Sequence, residues 1–221
     1  MVNQNQIKIA PSILAADFGK LKEEILSVER DGADLLHIDI MDGQFVPEIT
    51  FGANMVKLAK SLVSLPLDTH LMTISPWKHF DLMKSAGADR LYIHYEVCLE
   101  KSKTYLDEIK SLNIQNGLVI NPKTESEAIY PFLPFCDSLL VMSVNPGWSG
   151  QQFLSETLKK VRKIAKEIEK TKSNCELVVD GGLNQENCKE VISAGAKTLV
   201  FGAAFFKTLD KKSLIKVIKE F

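Results

Sequence analysis

His37 and Asp39 stand two residues apart in an otherwise apolar run, Leu35, Leu36, His37, Ile38, Asp39, Ile40, Met41. In a β-strand, residues i and i+2 share a face, so His37, Asp39 and Met41 point one way while Leu36, Ile38 and Ile40 point the other. A charged group within such a strand is costly unless it is paired, hydrogen-bonded or bound to a metal. An imidazole nitrogen and a carboxylate oxygen are together two donors for a divalent ion. On this pair alone, a satisfied core histidine beside a hydrogen-bonded aspartate explains the pattern equally well.

The elements that must position the pair recur along the chain. Short apolar runs at 7–10, 35–41, 67–72, 90–94, 117–121, 138–143, 176–180 and 198–201 read as strands. Amphipathic stretches at 18–30, 53–62, 77–86, 101–112, 125–133, 157–170, 185–194 and 212–219 read as helices. Eight strand-then-helix units predict a closed (β/α)8 TIM barrel more readily than an open doubly wound sheet. Gly32-Ala33-Asp34, Gly87-Ala88-Asp89 and Gly195-Ala196-Lys197 fall between a helix and the next strand, where glycine suits the left-handed helix end. No linker or charge block interrupts the 221 residues, which are expected to form a single barrel domain over 1–221.

In such a barrel, chemistry belongs at the C-terminal ends of the strands. His37 and Asp39 end the second strand, His70 the third and Asp180 the seventh, which makes four ligand-type side chains at one mouth. His37, Asp39, His70 and Asp180 are therefore expected to hold zinc or another first-row divalent metal. Glycines gather at the same mouth. Asn145-Pro146-Gly147-Trp148-Ser149-Gly150-Gln151 follows strand six, Gly181-Gly182 strand seven and Gly202-Ala203-Ala204 strand eight. Glycine allows close backbone approach and leaves N–H donors free, which suits a phosphate held by the loops after strands seven and eight.

Composition narrows the class. The chain is 45% hydrophobic and 25% charged, with a net charge of −1. That balance argues against a nucleic-acid or membrane-surface partner and leaves room for a substantial core. Met1 to Gln6 carries no secretory pattern, and no apolar stretch approaches membrane-spanning length. Cys98, Cys136, Cys175 and Cys188 show no Cys-x-x-Cys pair, so free thiols in a reducing cytoplasm are expected.

Several blocks resemble those of the ribulose-phosphate 3-epimerase family. They are Ala10-Pro11-Ser12-Ile13-Leu14, His37-Ile38-Asp39-Ile40-Met41-Asp42-Gly43, Phe45-Val46-Pro47, Ile49-Thr50-Phe51-Gly52, His70-Leu71-Met72, Met142-Ser143-Val144-Asn145-Pro146-Gly147 and Val179-Asp180-Gly181-Gly182. They occur in the family's order across nearly the whole chain. The resemblance implies a metal-dependent isomerase of the pentose phosphate pathway that interconverts D-ribulose 5-phosphate and D-xylulose 5-phosphate. It assigns His37, Asp39, His70 and Asp180 to one divalent metal ion, zinc first, with iron, manganese or cobalt compatible with the same donors. Asp39 and Asp180 double as acid and base, while Ser12 and His70 contact the sugar. Gly147, Trp148, Ser149, Gly150, Gly181, Gly182, Gly202 and Ala203 form the phosphate loops. Ala203 stands where the family frequently has serine and keeps the amide donor. Met41, Met72 and Met142 become an apolar floor, a role compatible with ordinary core packing. A homo-oligomer and a cytoplasmic location are implied as well.

The reaction explains why two carboxylates are needed. Inverting C3 removes its proton, passes through an enediolate with the C2 ketone, and returns a proton to the opposite face, which calls for one group on each side. Two other readings stand beside this one. The first is a 3-epimerase of a hexulose 6-phosphate such as allulose 6-phosphate; Ile49-Thr50-Phe51-Gly52 and Val179-Asp180-Gly181-Gly182 lean toward the pentulose enzyme. The second is a non-catalytic phosphosugar-binding barrel, which would be marked by the loss of a ligand or carboxylate. Phosphosugar barrels with an Asp-x-Lys pair on strand two are disfavoured, because Met41 stands at the lysine's place.

Overall fold

Eight short strands, each buried on both faces, must be covered inside and out, and a barrel ringed by helices satisfies both demands. The computed structural model describes residues 7–221; the polar stretch 1–6 lies outside the described residues. The strands are β1 (Lys8–Pro11), β2 (Leu36–Met41), β3 (Leu67–Met72), β4 (Arg90–His94), β5 (Gln115–Ile120), β6 (Ser138–Met142), β7 (Glu176–Asp180) and β8 (Thr198–Phe201). They pair in parallel in the order β1-β8-β7-β6-β5-β4-β3-β2. A parallel bridge between Ser12 and His37 closes the ring at the β1–β2 seam.

The helices in chain order are α1 (Leu21–Arg30), α2 (Ala53–Leu62), α3 (Phe80–Ala86), α4 (Tyr95–Cys98), α5 (Ser102–Ser111), α6 (Thr157–Thr171), α7 (Cys188–Ser193), α8 (Ala203–Phe206) and α9 (Lys211–Lys219). Outward strand residues such as Leu36, Ile38, Leu71, Leu91, Leu139 and Leu199 are fully buried against these helices. Inward residues Ala10, Tyr92, Val119, Leu140, Val178 and Val200 form a second, interior core. Gly87 and Gly195 adopt positive φ of 101° and 114° at the ends of the α3 and α7 segments, as the repeated Gly-Ala tripeptides predicted.

One expected helix differs in kind. The stretch expected at 125–133 is a 3-10 helix over Ser126–Phe135 that contains Pro131 and Pro134. Proline removes the N–H that an α-helix needs and clashes with the carbonyl one turn back, so the segment winds in a tighter form. Short 3-10 turns also precede α1, α3 and α5, at Phe18–Lys20, Pro76–His79 and Leu99–Lys101.

The two ends of the barrel are built differently. At the N-terminal end, Arg90 plugs the interior, donating to the Tyr92 hydroxyl at 2.8 Å and lying 3.3 Å from Glu176 and 3.6 Å from Asp68. The opposite end opens into the cavity described next.

Candidate active site

Strand register brings the predicted residues together. Across β2 and β3, Asp39 pairs with His70 and Met41 with Met72; across β6 and β7, Met142 pairs with Asp180. His37, Asp39 and Met41 thus alternate inward on β2, and the ends of β3, β6 and β7 deliver the remaining groups to the same level. Thr50 fixes the β2 backbone here. Its hydroxyl donates to the Asp39 carbonyl at 2.7 Å and accepts from the Met41 amide at 3.1 Å.

One donor atom each from His37, Asp39, His70 and Asp180 lies within 4.8 Å of all the others. His70 Nδ1 is 3.0 Å from Asp39 Oδ1 and 3.9 Å from Asp180 Oδ2. His37 Nε2 is 3.4 Å from Asp39 Oδ1 and 3.7 Å from Asp180 Oδ2. Asp39 Oδ2 is occupied separately by the Ser12 hydroxyl, which donates at 2.5 Å. Oδ1 is therefore the oxygen turned to the centre.

The charges of these groups are strongly interdependent. Burial opposes charge on His37, but the facing carboxylates of Asp39 and Asp180 outweigh it and push the imidazole up to about 9. Burial also opposes ionisation of Asp39, yet His37 and the contact with His70 hold its carboxyl far below the usual range. Asp180 is pushed up to about 7 by burial and by the negative charge of Asp39. His70 is pulled down to about 4, chiefly by burial. Two carboxylates a few ångströms apart thus have opposite proton affinities, the arrangement that separates a base from an acid at neutral pH.

A metal fits this donor set on a structural ground. Both ring nitrogens of His37 are buried and lack any hydrogen-bond partner among the described residues, its Nε2 lying 3.4 and 3.7 Å from the two carboxylates without forming one. Leaving a buried polar atom unpaired costs about 1–3 kcal/mol. Two imidazoles and two carboxylates converging on one point match the donor chemistry of zinc and its first-row neighbours.

Above the cluster lies a cavity of about 210 Å³. Asp39 and Asp180 reach its floor beside Met41, Met72 and Met142, with Ser12 at one side. The rim carries Gly147, Trp148, Ser149, Gly150, Gly181, Gly182, Gly202 and Ala203, so every glycine-loop residue singled out from the sequence borders the same space. Gln151 stiffens the loop after β6 by donating to the carbonyls of Asn145 and Trp148 at 2.6 and 3.0 Å. Gly182 has a φ of +66°, and a Cβ there would lie 2.4 Å from the Phe153 amide nitrogen, so only glycine fits. His37 and His70 lie beneath the cavity and do not line it.

The same fold carries a much wider group of proteins. The chain superposes on 3-hexulose-6-phosphate synthase with a TM-score of 0.69 at 14% identity, covering 97% of this chain and 99% of that one. It superposes on thiamine phosphate pyrophosphorylase from Pyrococcus furiosus with a TM-score of 0.65 at 16% identity, covering 98% of each chain. Those similarities establish the barrel alone. Sequence comparison is more discriminating, because the model of the ribulose-phosphate 3-epimerase family matches residues 8–206.

The chain belongs to the ribulose-phosphate 3-epimerase family. The ribulose-phosphate 3-epimerase of Bacillus subtilis is 42% identical over 214 residues, covering 96% of this chain and 98% of that protein. The chloroplastic ribulose-5-phosphate-3-epimerase of Arabidopsis thaliana is 40% identical over 221 residues, covering 98% and 78%. Membership makes the chain an enzyme of the isomerase class.

Two residues beside the ribulose-phosphate 3-epimerase site were not anticipated from the sequence. His94 Nε2 lies 2.8 Å from His70 Nε2, and His94 Nδ1 lies 3.2 Å from Glu96 Oε2. A signal was present for His94, the last residue of the strand-like run at 90–94 and so at the same mouth of the barrel.

Proposed function

We propose that the protein inverts C3 between D-ribulose 5-phosphate and D-xylulose 5-phosphate, with Asp39 and Asp180 as the proton-transfer pair. His37, Asp39, His70 and Asp180 are assigned to one divalent metal ion, zinc first. The single observation that carries the reading is the convergence of Asp39 from β2 and Asp180 from β7 on one donor cluster at the floor of a glycine-rimmed cavity.

The chain's own groups suit each demand of the reaction. Asp39 is held ionised, with Oδ2 fixed by Ser12, and is assigned to removing a proton. Asp180 has the higher proton affinity of the two carboxylates, raised by burial and by the negative charge of Asp39, and is assigned to the proton exchanged on the opposite face. In the reverse direction the two exchange roles, as microscopic reversibility requires. A divalent cation held by His37, Asp39, His70 and Asp180 would supply positive charge to offset the negative charge that grows in the transition state. Met41, Met72 and Met142 present thioethers that hold water off the reacting carbons and carry no proton to exchange. Ser12, which lines the cavity, is assigned to the sugar; the direct sugar contact expected of His70 is not supported, because it lies beneath the cavity with both ring nitrogens directed to the cluster and to His94. The loops at Gly147, Trp148, Ser149, Gly150, Gly181, Gly182, Gly202 and Ala203 are assigned to the phosphate, whose grip orients C3 between the carboxylates.

Chain 1–221 is read as one catalytic domain working in a homo-oligomer in the cytoplasm. Four unpaired, buried cysteines accord with a reducing compartment, and no helix among the described residues is long and apolar enough to cross a membrane.

Metal-loaded protein incubated with D-ribulose 5-phosphate in heavy water tests the reading. Xylulose 5-phosphate carrying deuterium at C3 is the expected product, with kcat/KM higher than for a hexulose 6-phosphate. Neither turnover nor exchange from folded, metal-replete protein would sink the proposal, and a higher kcat/KM on the hexulose would reassign the substrate.

A further inference from the structure

His94 and Glu96 extend the donor cluster away from the cavity, and the chemistry of the chain they form has a direction. His94 is completely buried at the end of β4. Its ring lies edge to edge with that of His70 and nearly coplanar with it, with centroids 5.0 Å apart and planes at 22°, and Phe45 packs against it at 4.5 Å. Glu96 is fixed in turn, since its Oε1 accepts from the Asn121 amide at 2.8 Å and from the Thr124 hydroxyl at 2.5 Å.

Proton placement follows from what each atom can do. An ionised Glu96 only accepts, so the 3.2 Å contact at Oε2 calls for a hydrogen on His94 Nδ1. A neutral His94 then has a lone pair at Nε2. The 2.8 Å contact between the two Nε2 atoms needs one hydrogen and one lone pair, so the hydrogen belongs to His70. A neutral His70 protonated at Nε2 carries its lone pair on Nδ1, the atom that faces Asp39 at 3.0 Å within the four-residue cluster.

We propose that His94 and Glu96 are positioning residues that lock His70 in the Nε2–H tautomer and so present its Nδ1 lone pair as a metal donor. The inference rests on the metal reading given above. Without a metal, the 3.0 Å contact between His70 Nδ1 and Asp39 Oδ1 suits the other tautomer, in which Nδ1–H donates to the carboxylate, so His94 and Glu96 are what select between the two. A ligating imidazole whose far N–H is held by an acceptor is more basic and better oriented, and loss of such a partner typically weakens metal affinity about 10- to 100-fold.

The test measures metal, not turnover. Zinc dissociation constants from chelator competition, and the visible spectrum of the cobalt-loaded protein, are compared for wild type, His94→Phe, Glu96→Gln and His94→Gln. Phenylalanine keeps an aromatic ring against Phe45 and removes the acceptor; the glutamine carbonyl can accept from His70 Nε2–H. His94→Phe is expected to weaken zinc about 10- to 100-fold and alter the cobalt bands, Glu96→Gln to act in the same direction, and His94→Gln to recover part of the loss. A correctly folded His94→Phe that binds zinc as wild type does overturns the inference and leaves the metal reading standing. Wild type that binds no zinc overturns both. Nitrogen-15 imidazole spectra of zinc-loaded wild type give an answer independent of any variant: a protonated Nε2 and metallated Nδ1 on His70 are expected, and a protonated Nδ1 overturns the assignment.

Discussion

Asp39 and His70 are direct partners in the β2–β3 register, and their side chains meet inside the barrel with Asp39 Oδ1 3.0 Å from His70 Nδ1. The contact is non-local in sequence but rigid in space, since six successive residue pairs lock the two strands together. A site built on strand ends in this way is held more firmly than one built on loops.

Asp39→Asn and Asp180→Asn are each expected to lower kcat by about 10²–10⁴, the range contributed by a positioned proton-transfer group. Zinc affinity measured on the same variants separates lost proton transfer from lost ligation. An amide variant that retains both metal and wild-type kcat would remove that carboxylate from the mechanism.

Zinc binding is expected to release protons and to strengthen as pH rises from 6 to 9. His37 must shed a proton held up to about 9, and Asp180 one held up to about 7, before either can ligate. In the metal-free protein, the stabilising contribution of charged His37 is fully present below its ordinary value near 6.5 and lost as pH climbs through about 9. Asp180 acts in the same direction, because its raised value favours the folded state most when protonated, and that advantage has gone above about 7. The rise in melting temperature on adding zinc should therefore grow with pH. Titration calorimetry at pH 7.5 in buffers of different ionisation enthalpy should report release of about one proton per zinc; no release would contradict the assigned ligands.

Gly182→Ala is expected to raise KM far more than it lowers kcat, with zinc affinity unchanged. The added Cβ meets the Phe153 amide nitrogen at 2.4 Å and the backbone is held at a φ of +66°, so the loop must move. Strain of about 1–3 kcal/mol at such a position corresponds to roughly a 5- to 150-fold loss of binding. Steady-state kinetics, with inorganic phosphate as a competitive probe, checks it.

Thr50→Val should destabilise the protein by about 1–3 kcal/mol, because it leaves the Asp39 carbonyl and Met41 amide without the shared hydroxyl. Thr50→Ser should retain most of the stability. Urea midpoints of the two variants give the comparison, and equal midpoints would show that the clamp is without energetic consequence.

Much of the site was legible because strand chemistry is local. Alternation in β2 places His37, Asp39 and Met41 inward without reference to any other element, and the strand-end rule gathers His70, Asp180 and the glycine loops. Register is different. That Asp39 faces His70, or Met142 Asp180, depends on the stagger of a closed ring, which no single strand encodes. Glu96 went unnoticed for a related reason. It sits in α4 after β4 has ended, so the period-two logic that exposed Asp39 does not reach it, and only the fold returns its carboxylate to His94. The stretch at 126–135 misled on its periodicity, where the absent N–H groups of Pro131 and Pro134 decide the winding.

A cask is kept round by its hoop more than by its staves. Among the described residues, β1 and β2 are the neighbours without a continuous ladder between them, and at the open end their join is the bridge from Ser12 to His37 together with the Ser12 hydroxyl on Asp39. The cluster that gathers β2, β3 and β7 around one point therefore girdles the barrel where its own backbone is thinnest. The groups that would do the chemistry are thus also the groups that tie the last gap in the wall, so a change at Ser12 or Asp39 touches the barrel's closure as well as its reactive centre.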